Sequence, residues 1–184
     1  MRITHDYYLI IDVEATCSDV GEVPRREMEI IEIGAVMQSF RTFEIESDFQ
    51  IFVRPVRYPE LTGFCTELTG ITHNDVASTP LFAEALDAMK DWMDGFGDAL
   101  FCSWGDYDRN QFIQDCDYHR IPYPFRSKHL NLKAEFSRTM GLKKKLGVKE
   151  VLKHIGLNFQ GSHHRGLDDA KNIARLVRKV CVGA

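Results

Sequence analysis

The sequence predicts an α/β domain in which helices flank a mixed β-sheet. The first third of the chain carries strand patterns that can pair as an antiparallel meander, whereas strands and helices alternate in the rest. This combination is typical of a mixed sheet covered by helices. The 184 residues, of which 44% are hydrophobic, are enough for one sizeable core and scarcely enough for two. We therefore expect one domain over residues 1–184, with its folded core between about residues 7 and 180.

Three strands are predicted in the first third of the chain. Tyr7 to Val13 is an aromatic and β-branched run, residues 28–37 form a longer apolar run, and Phe49 to Val53 form the third. Runs of this kind favour strands. Arg54-Pro55 ends the third strand, because proline donates no hydrogen bond to a sheet. Residues Thr62 to Gly70 mix apolar side chains with turn formers and are predicted as a loop.

Helices and strands alternate in the rest of the chain. In order we expect a helix at 81–96, a strand from Asp98 to Cys102, a helix after Gly105, a short strand at 128–130, and helices at 132–140, 148–155 and 166–181. The last helix is the clearest, because its apolar residues recur at helical spacing.

Two carboxylates share one face of the first strand. Asp12 and Glu14 are two residues apart, and side chains at that spacing point to the same side of a strand. At the end of an apolar strand the two charges would repel each other and be poorly solvated, and a bound cation relieves both problems. The alternative is that Glu14 only begins a solvated loop.

The last helix carries a carboxylate on its buried face. The positions four, seven and eleven residues after Asp169 are apolar, so Asp169 lies on the inward stripe. The same steps from Asp168 reach polar residues. We therefore expect Asp168 to face water, where an acid in the first helical turn is favourable. A buried acid such as Asp169 is seldom tolerated without a charge partner or a metal ion.

A pair of histidines precedes this helix. His164 lies five residues before Asp169, and His163 lies five residues before Asp168. Choosing Asp169 as the inward acid therefore selects His164 as its companion. An imidazole titrates near neutral pH and can accept a proton from an attacking water. The alternative, which is our interpretation of His163, is an ordinary loop residue.

A third acid is expected where the strand after Asp98 passes into a helix, a common place for functional residues in α/β folds. Asp106 and Asp108 both lie there. Asp106 can be explained as the cap of the helix N-terminus, which leaves Asp108 less accounted for. Periodicity does not choose between the two residues.

Taken together, these segments resemble the DEDDh superfamily of 3'-to-5' exonucleases. Asp12-Val-Glu-Ala-Thr-Cys17, Phe64-Cys-Thr-Glu-Leu-Thr-Gly-Ile71 and His164-Arg-Gly-Leu-Asp-Asp-Ala-Lys-Asn-Ile-Ala174 are similar to one branch, the enhanced-RNAi and histone-mRNA exoribonucleases. Each motif alone is common, and their order and distances make the match specific. The resemblance covers about Tyr7 to Val180 and implies a ribonuclease-H-like domain with five strands.

The resemblance also implies roles for five side chains. The metal-binding acids would be Asp12, Glu14, Asp108 and Asp169, with His164 as the general base. Two Mg²⁺ or Mn²⁺ ions per active site are implied, and oxygen ligands favour such hard cations. The implied reaction releases nucleoside 5'-monophosphates from the 3' end of a single-stranded nucleic acid, with RNA favoured. The alternatives are a 3'-to-5' DNA exonuclease, an oligonucleotide hydrolase and a non-catalytic RNA-binding module.

Candidate substrate contacts lie in three segments. The resemblance places the backbone at Ala15 and Thr16 against the terminal 3'-hydroxyl. Phe64 and Leu68 could splay or stack terminal bases, although Phe64 is equally well explained as an anchor of its loop in the core. Trp104 is a further candidate, because an aromatic face contributes about 1–3 kcal/mol per stacked base.

Charge and composition limit the expected partners. The formal net charge of −4 argues against wrapping of a duplex, whereas a few nucleotides at a strand end suit it. The basic residues that could hold the nucleic-acid backbone are Lys143, Lys144, Lys145, Lys149, Lys153 and Arg165. A short run of charge is usually only a solvated surface.

The expected location is the cytoplasm. The N-terminus has no signal-peptide pattern, and no stretch approaches the ~18 apolar residues of a membrane span. The five cysteines are odd in number and have no C-x-x-C spacing, so reduced thiols are expected.

Overall fold

The computed structural model of the protein describes residues 5–126 and 128–182, apart from the side chain of residue 182. In these ranges five strands form one sheet in the order β3-β2-β1-β4-β5. The strands are β1 (Tyr7–Ala15), β2 (Ile30–Ser39), β3 (Ile45–Phe52), β4 (Ala99–Ser103) and β5 (Leu130–Asn131). The helices are α1 (Gly63–Thr69), α2 (His73–Val76), α3 (Phe82–Met93), α4 (Tyr107–His119), α5 (Leu132–Thr139), α6 (Val148–His154) and α7 (Gly166–Val182).

The sheet is mixed, as the sequence predicts. β2 pairs antiparallel with both β1 and β3, whereas β4 pairs parallel with β1 and with β5. The fold class is therefore confirmed, including the five strands that the resemblance implies. No helix within the described ranges is both long and apolar enough to span a bilayer.

Two hydrophobic cores cover the two faces of the sheet. Leu9 and Ile11 of β1 pack in the core that α3 and α4 cover, whereas Tyr8 and Ile10 pack in the core that α5, α6 and α7 cover. This alternation follows from the two-residue period of a strand. If this alternation continues along β1, the side chains of Asp12 and Glu14 point toward α7.

The predicted secondary structure is wrong at residues 62–70 and at the start of β3, and the short strand predicted at 128–130 is displaced to Leu130–Asn131. The segment from Thr62 to Gly70 is not a loop, because it contains helix α1: the Thr62 hydroxyl accepts a hydrogen bond from the Cys65 amide at 3.0 Å, and Gly70 ends the helix in a left-handed conformation. The turn-forming residues are thus helix caps. β3 begins at Ile45 and not at Phe49, since this edge strand is partly exposed and its first residues are mostly polar.

Candidate active site

The start of α7 lies directly against the sheet. Gly34 of β2 pairs with Asp12 of β1, and a side chain at Gly34 would overlap the backbone of Gly166 and Leu167. A methyl group at Gly166 would lie only 2.8 Å from the Asp12 carbonyl oxygen. Only glycines allow this approach, and it brings the first turn of α7, with Asp169, over the strand acids.

Three of the predicted acids meet at this point. One carboxylate oxygen from each of Asp12, Glu14 and Asp169 lies within 4.8 Å of the others. Burial raises the pKa of Asp12 well above its usual range, and the charges of Asp108 and Asp169 raise it further. Burial, followed by the charge of Asp169, raises the pKa of Glu14 to about 8. Buried carboxylic acids that resist ionisation in this way form a site that a hard divalent cation fits.

The fourth acid, Asp108, lies beside this group. It is buried in the first turn of α4, where its Oδ1 accepts a hydrogen bond from the Val13 amide at 3.1 Å. Burial raises its pKa to about 6, although the hydrogen bond from Val13 lowers it. The choice of Asp108 over Asp106 thus agrees with the geometry.

Asp106 is partnered at the surface. It occupies the N-cap position of α4, as predicted, but its side chain makes no capping hydrogen bond. Its carboxylate instead accepts a hydrogen bond from Asn131 Nδ2 at 2.9 Å and lies 3.4 Å from Arg109 Nη1.

The two histidines share Asp169 in a way that differs from the prediction. The imidazole that reaches its carboxylate is that of His163, with Nδ1 3.0 Å from Oδ1. His164 contacts the same carboxylate through its backbone N–H at 2.7 Å, and its ring stacks on that of His163 with 4.0 Å between centroids. The reason is a left-handed backbone at His164, with φ of 62°. His163 is therefore not an ordinary loop residue, whereas the role of His164 as a base stays a prediction.

A buried glutamate that the sequence analysis did not select ties α7 to the sheet. Glu32 faces Glu14 across the β1–β2 pair and is 0% exposed. Its Oε2 accepts hydrogen bonds from Arg165 Nε at 3.1 Å and from the Gly166 amide at 3.2 Å. Arg165 is thereby held by Glu32. Glu32 follows two isoleucines in the sequence, and a charge in an apolar run was a signal that could have identified it.

A cavity of about 520 Å³ opens above the acids. Besides Asp12, Glu14, Asp108 and Asp169, its lining includes Val13, Ala15, Cys17, Met28, Leu68, Trp104, Tyr107, Gly147, Val148, Lys149, Glu150, His163 and His164. The acids and both histidines therefore face one space that is open to solvent and large enough for a nucleotide.

Some of the residues predicted to contact substrate line the cavity, and others do not. Ala15, Leu68 and Trp104 line the cavity, and the Trp104 indole is held in place because its Nε1 donates to the Leu146 carbonyl at 3.0 Å. The Thr16 side chain is buried and accepts a hydrogen bond from the Glu29 amide at 2.9 Å. The Thr16 hydroxyl therefore has a structural role.

Phe64 is neither a core anchor nor part of the cavity wall. It is 37% exposed on α1, and the described residues that line the cavity include Leu68 but not Phe64. Tyr107, which the sequence analysis did not select, lines the cavity and is 48% exposed. Because Tyr107 precedes Asp108, the same strand-to-helix passage that positions the acid also presents an aromatic ring.

Of the predicted basic residues, Lys149 lines the cavity. Lys143, Lys144, Lys145 and Lys153 are exposed. Lys144 Nζ lies 3.8 Å from Glu150, a surface pair of little energetic weight. Lys149 is thus the lysine best placed to meet a phosphate near the acids.

Comparison with known proteins identifies similar chains. A family model described as exonuclease matches residues 9–177. Human ERI1 exoribonuclease 3 is 36% identical over 182 residues, which cover 95% of this chain and 53% of that protein. Human 3'-5' exoribonuclease 1 is 36% identical over 183 residues, covering 94% and 51%. The chain thus spans about half the length of the curated relatives it matches.

Solved structures share the architecture. The nuclease domain of 3'hExo, described as a DEDDh family member bound to rAMP, superposes with a TM-score of 0.91 at 33% identity and covers 100% of this chain and 96% of that one. A 3'-exonuclease described in 3'-end-specific recognition of a histone mRNA stem-loop gives a TM-score of 0.90 at 33% identity, covering 98% and 65%. The similarity therefore extends over the sheet and the helices that carry the acids.

Proposed function

Because the chain belongs to the exonuclease family, in the ERI1 branch of the DEDDh 3'-to-5' exonucleases, we propose that it removes nucleotides one at a time from the 3' end of single-stranded RNA. The observation that carries this proposal is the meeting of three carboxylates from β1 and α7 within 4.8 Å. Such a cluster is costly in a metal-free protein and useful in a phosphodiesterase.

The family uses divalent metal ions. We propose that Asp12, Glu14, Asp108 and Asp169 hold two Mg²⁺ or Mn²⁺ ions, since the four side chains offer only oxygen ligands. When bound, such ions polarise the scissile phosphate and neutralise charge on the departing oxygen. Burial, followed by the neighbouring carboxylates, raises the pKa values of Asp12 and Glu14, and an added positive charge would relieve this cost.

The protein's own residues would position the strand end and move the proton. His164, which lines the cavity, would accept a proton from the attacking water. Burial lowers the pKa of its imidazole, which keeps the ring free to accept a proton at neutral pH. Leu68, Trp104 and Tyr107 present apolar and aromatic surface for the terminal bases. The product would be a nucleoside 5'-monophosphate.

RNA is the substrate that the comparisons support. The structure of the 3'hExo nuclease domain contains rAMP, and the second structure concerns a histone mRNA stem-loop. The curated relatives are named exoribonucleases. A non-catalytic RNA-binding module is disfavoured, because a surface that only binds has no use for a cluster of inward acids.

The decisive experiment compares matched RNA and DNA oligomers, labelled at the 5' end, with either a free or a blocked 3' end, in Mg²⁺ or Mn²⁺. We expect a descending ladder and released mononucleotides from RNA with a free 3' end. Faster digestion of DNA would make the protein a DNA exonuclease, and cleavage restricted to the shortest oligomers would make it an oligonucleotide hydrolase. Binding without any release would indicate the RNA-binding module.

Replacing the two histidines separately should tell them apart. We expect His164→Asn to lower kcat by about 10²–10⁴-fold, the usual contribution of a general base, without a loss of metal affinity. His163→Asn should have the smaller effect on kcat, because His163 contacts the carboxylate of Asp169, which would bind the metal ion. Single-turnover cleavage at saturating metal measures both. A larger loss of kcat in His163→Asn would transfer the role of base to that residue.

Metal should stabilise the protein more at alkaline than at acidic pH. The raised pKa values of Asp108 and Glu14, about 6 and about 8, mean that the folded metal-free protein keeps protons that the unfolded chain loses near pH ~4. The metal-free protein therefore loses stability as pH rises from ~4 to ~8.

Thermal unfolding measures this effect. Because divalent ions bind the ionised carboxylates, the gap in Tm between Mg²⁺ and chelator should widen between about pH 5 and about pH 8. Glu14→Gln removes the group with a pKa of about 8, so it should flatten the upper part of the metal-free pH profile. A gap that does not vary with pH would contradict a shared carboxylate site.

A further inference from the structure

Two cysteines lie beside each other at the edge of the active-site cavity. Cys17 follows β1, is partly exposed and lines the cavity. Cys65 lies in α1 and is 0% exposed. The Cys17 thiol donates a hydrogen bond to the Cys65 sulfur, and both residues pack against the small core that contains Ile31. One thiol of the pair is therefore accessible while the other is protected.

The backbones of the two cysteines are fixed relative to each other. The Thr62 hydroxyl donates a hydrogen bond to the Cys17 carbonyl at 2.6 Å and accepts one from the Cys65 amide at 3.0 Å. The Cys65 thiol lies 3.7 Å from the Ala15 carbonyl, to which it donates. One hydroxyl thus joins the segment after β1 to the first turn of α1. This connection fixes the two backbone segments that carry the sulfur atoms.

The pKa of Cys65 differs from that of the other buried cysteines. The hydrogen bond from Cys17 lowers the pKa of Cys65 to about 7 and raises the pKa of Cys17 well above its usual range, so the negative charge of the pair is favoured on Cys65 near neutral pH. Burial instead raises the pKa of Cys102 well above its usual range and that of Cys116 to about 11. An exposed thiol beside a thiolate that can resolve a mixed disulfide is the arrangement of thiols that exchange.

We propose that Cys17 and Cys65 are a modification site for small-molecule disulfides, which convert the pair into an intramolecular disulfide in the cavity wall. The accompanying loss of nuclease activity rests on the proposed function. The disulfide itself does not, because it is detected by mass.

The exchange proceeds in two balanced steps. The Cys17 sulfur passes its proton to the Cys65 thiolate, attacks one sulfur of the small disulfide and releases a small thiolate. This thiolate takes the proton back from Cys65, whose sulfur then attacks Cys17 and releases the second small thiolate. The Cys17 thiol and the Cys65 thiolate are oxidised, and one small disulfide is reduced to one thiol and one thiolate.

The bond would distort the site that it borders. A disulfide is about 2.05 Å long, much shorter than a hydrogen-bonded contact between two sulfur atoms. Closing it pulls the segment after Glu14 toward α1, which also carries Leu68 of the cavity wall. Misplacement of reacting groups by about 1 Å can cost about a hundredfold in rate. We therefore expect oxidation to lower kcat/KM by about tenfold to a hundredfold.

The test treats the folded protein with oxidised glutathione, blocks the remaining thiols with iodoacetamide and maps the peptides by mass. We expect a Cys17–Cys65 linked peptide, a parallel fall in kcat/KM on RNA, and recovery of both with dithiothreitol. In Cys65→Ser the linked peptide and the fall in activity should both be absent. Cys181→Ser, which removes the exposed thiol at the far end of α7, should respond as the unmodified protein does.

Each other outcome would overturn the proposal. Glutathione that stays on Cys17 without a link to Cys65 would show that the pair does not close. A Cys65→Ser variant that loses activity as much as the parent would place the sensitive thiol elsewhere. A linked peptide with unchanged cleavage of RNA would refute the effect on the site, whereas a reduced protein that never cleaves RNA would instead refute the proposed function.

Discussion

Asp12→Asn is expected to abolish RNA cleavage and at the same time to stabilise the metal-free protein. Asp12 lies at the centre of the acidic group, since the charges of Asp108, Asp169, Glu14 and Glu32 all raise its pKa after the larger effect of burial. An amide keeps the shape of the side chain and removes its charge. We therefore expect kcat to fall by about a thousandfold or more, because bound metal contributes several kcal/mol to transition-state stabilisation.

The gain in stability follows from the same carboxylates. At neutral pH, ionisation of Asp12 adds a negative charge beside Asp108 and Asp169, and folding must tolerate this repulsion. With asparagine that charge is absent, so the Tm of the metal-free protein should rise. In Mg²⁺ the order should reverse, since the parent gains stability from a metal that the variant binds poorly. Opposite shifts with and without metal are a result that simple misfolding cannot produce.

Asp106→Asn is the matched control. This carboxylate is also close to the start of α4, but it faces Asn131 and Arg109 at the surface. We expect full cleavage and unchanged metal dependence. The measurement pairs single-turnover cleavage with thermal unfolding in Mg²⁺ and in chelator. Retention of turnover in Asp12→Asn would refute the assignment of the acids.

The residues that the sequence placed well are those whose direction is set by periodicity. Alternation along β1 predicted that Asp12 and Glu14 point together, and helical phase predicted that Asp169 is buried. Both geometries are confirmed by the meeting of the three carboxylates. Periodicity is a local property of the sequence, so predictions from it do not require knowledge of which elements pack together in the fold.

Residues in turns could not be placed in this way. Counting spacings assigned the Asp169 contact to His164, whereas the left-handed backbone at His164 presents the ring of His163 instead. A non-glycine residue adopts that conformation only where its surroundings stabilise it. Here the Asp169 carboxylate accepts hydrogen bonds from the amides of His164 and Arg165. Residue spacing alone does not reveal this backbone conformation, so it could not show which imidazole reaches Asp169.

A long-range contact decided one further choice, and local composition caused one further error. The choice between Asp106 and Asp108 depends on the Val13 amide, 95 residues away from Asp108 in the chain. The helical segment after Thr62 was predicted as a loop because its caps look like turn residues. A composition of turn formers does not distinguish a helix boundary from a break.

Gly34→Ala is expected to destabilise the protein and to inactivate it by the same cause. The added methyl would overlap the backbone of Gly166 and Leu167, and no side-chain rotation can relieve a clash between backbones. Overpacking inside a folded core usually costs about 1–3 kcal/mol, and a backbone contact belongs to the upper end or beyond. We therefore expect unfolding to require about 3 kcal/mol less free energy. If α7 moves away from β2, its carboxylate Asp169 leaves the strand acids.

Gly63→Ala provides the comparison, because a methyl group there meets no atom within 4 Å and alanine is a better helix former than glycine. Its Tm should be unchanged or slightly higher. Activity of Gly34→Ala is measured well below its Tm, so that the folded fraction is complete and any loss reports displaced carboxylates. In that folded state Mg²⁺ should raise the Tm less than in the parent. A Gly34→Ala protein with parental Tm and turnover would mean that α7 does not rest on β2. The convergence of Asp169 with Asp12 and Glu14 would then need another cause.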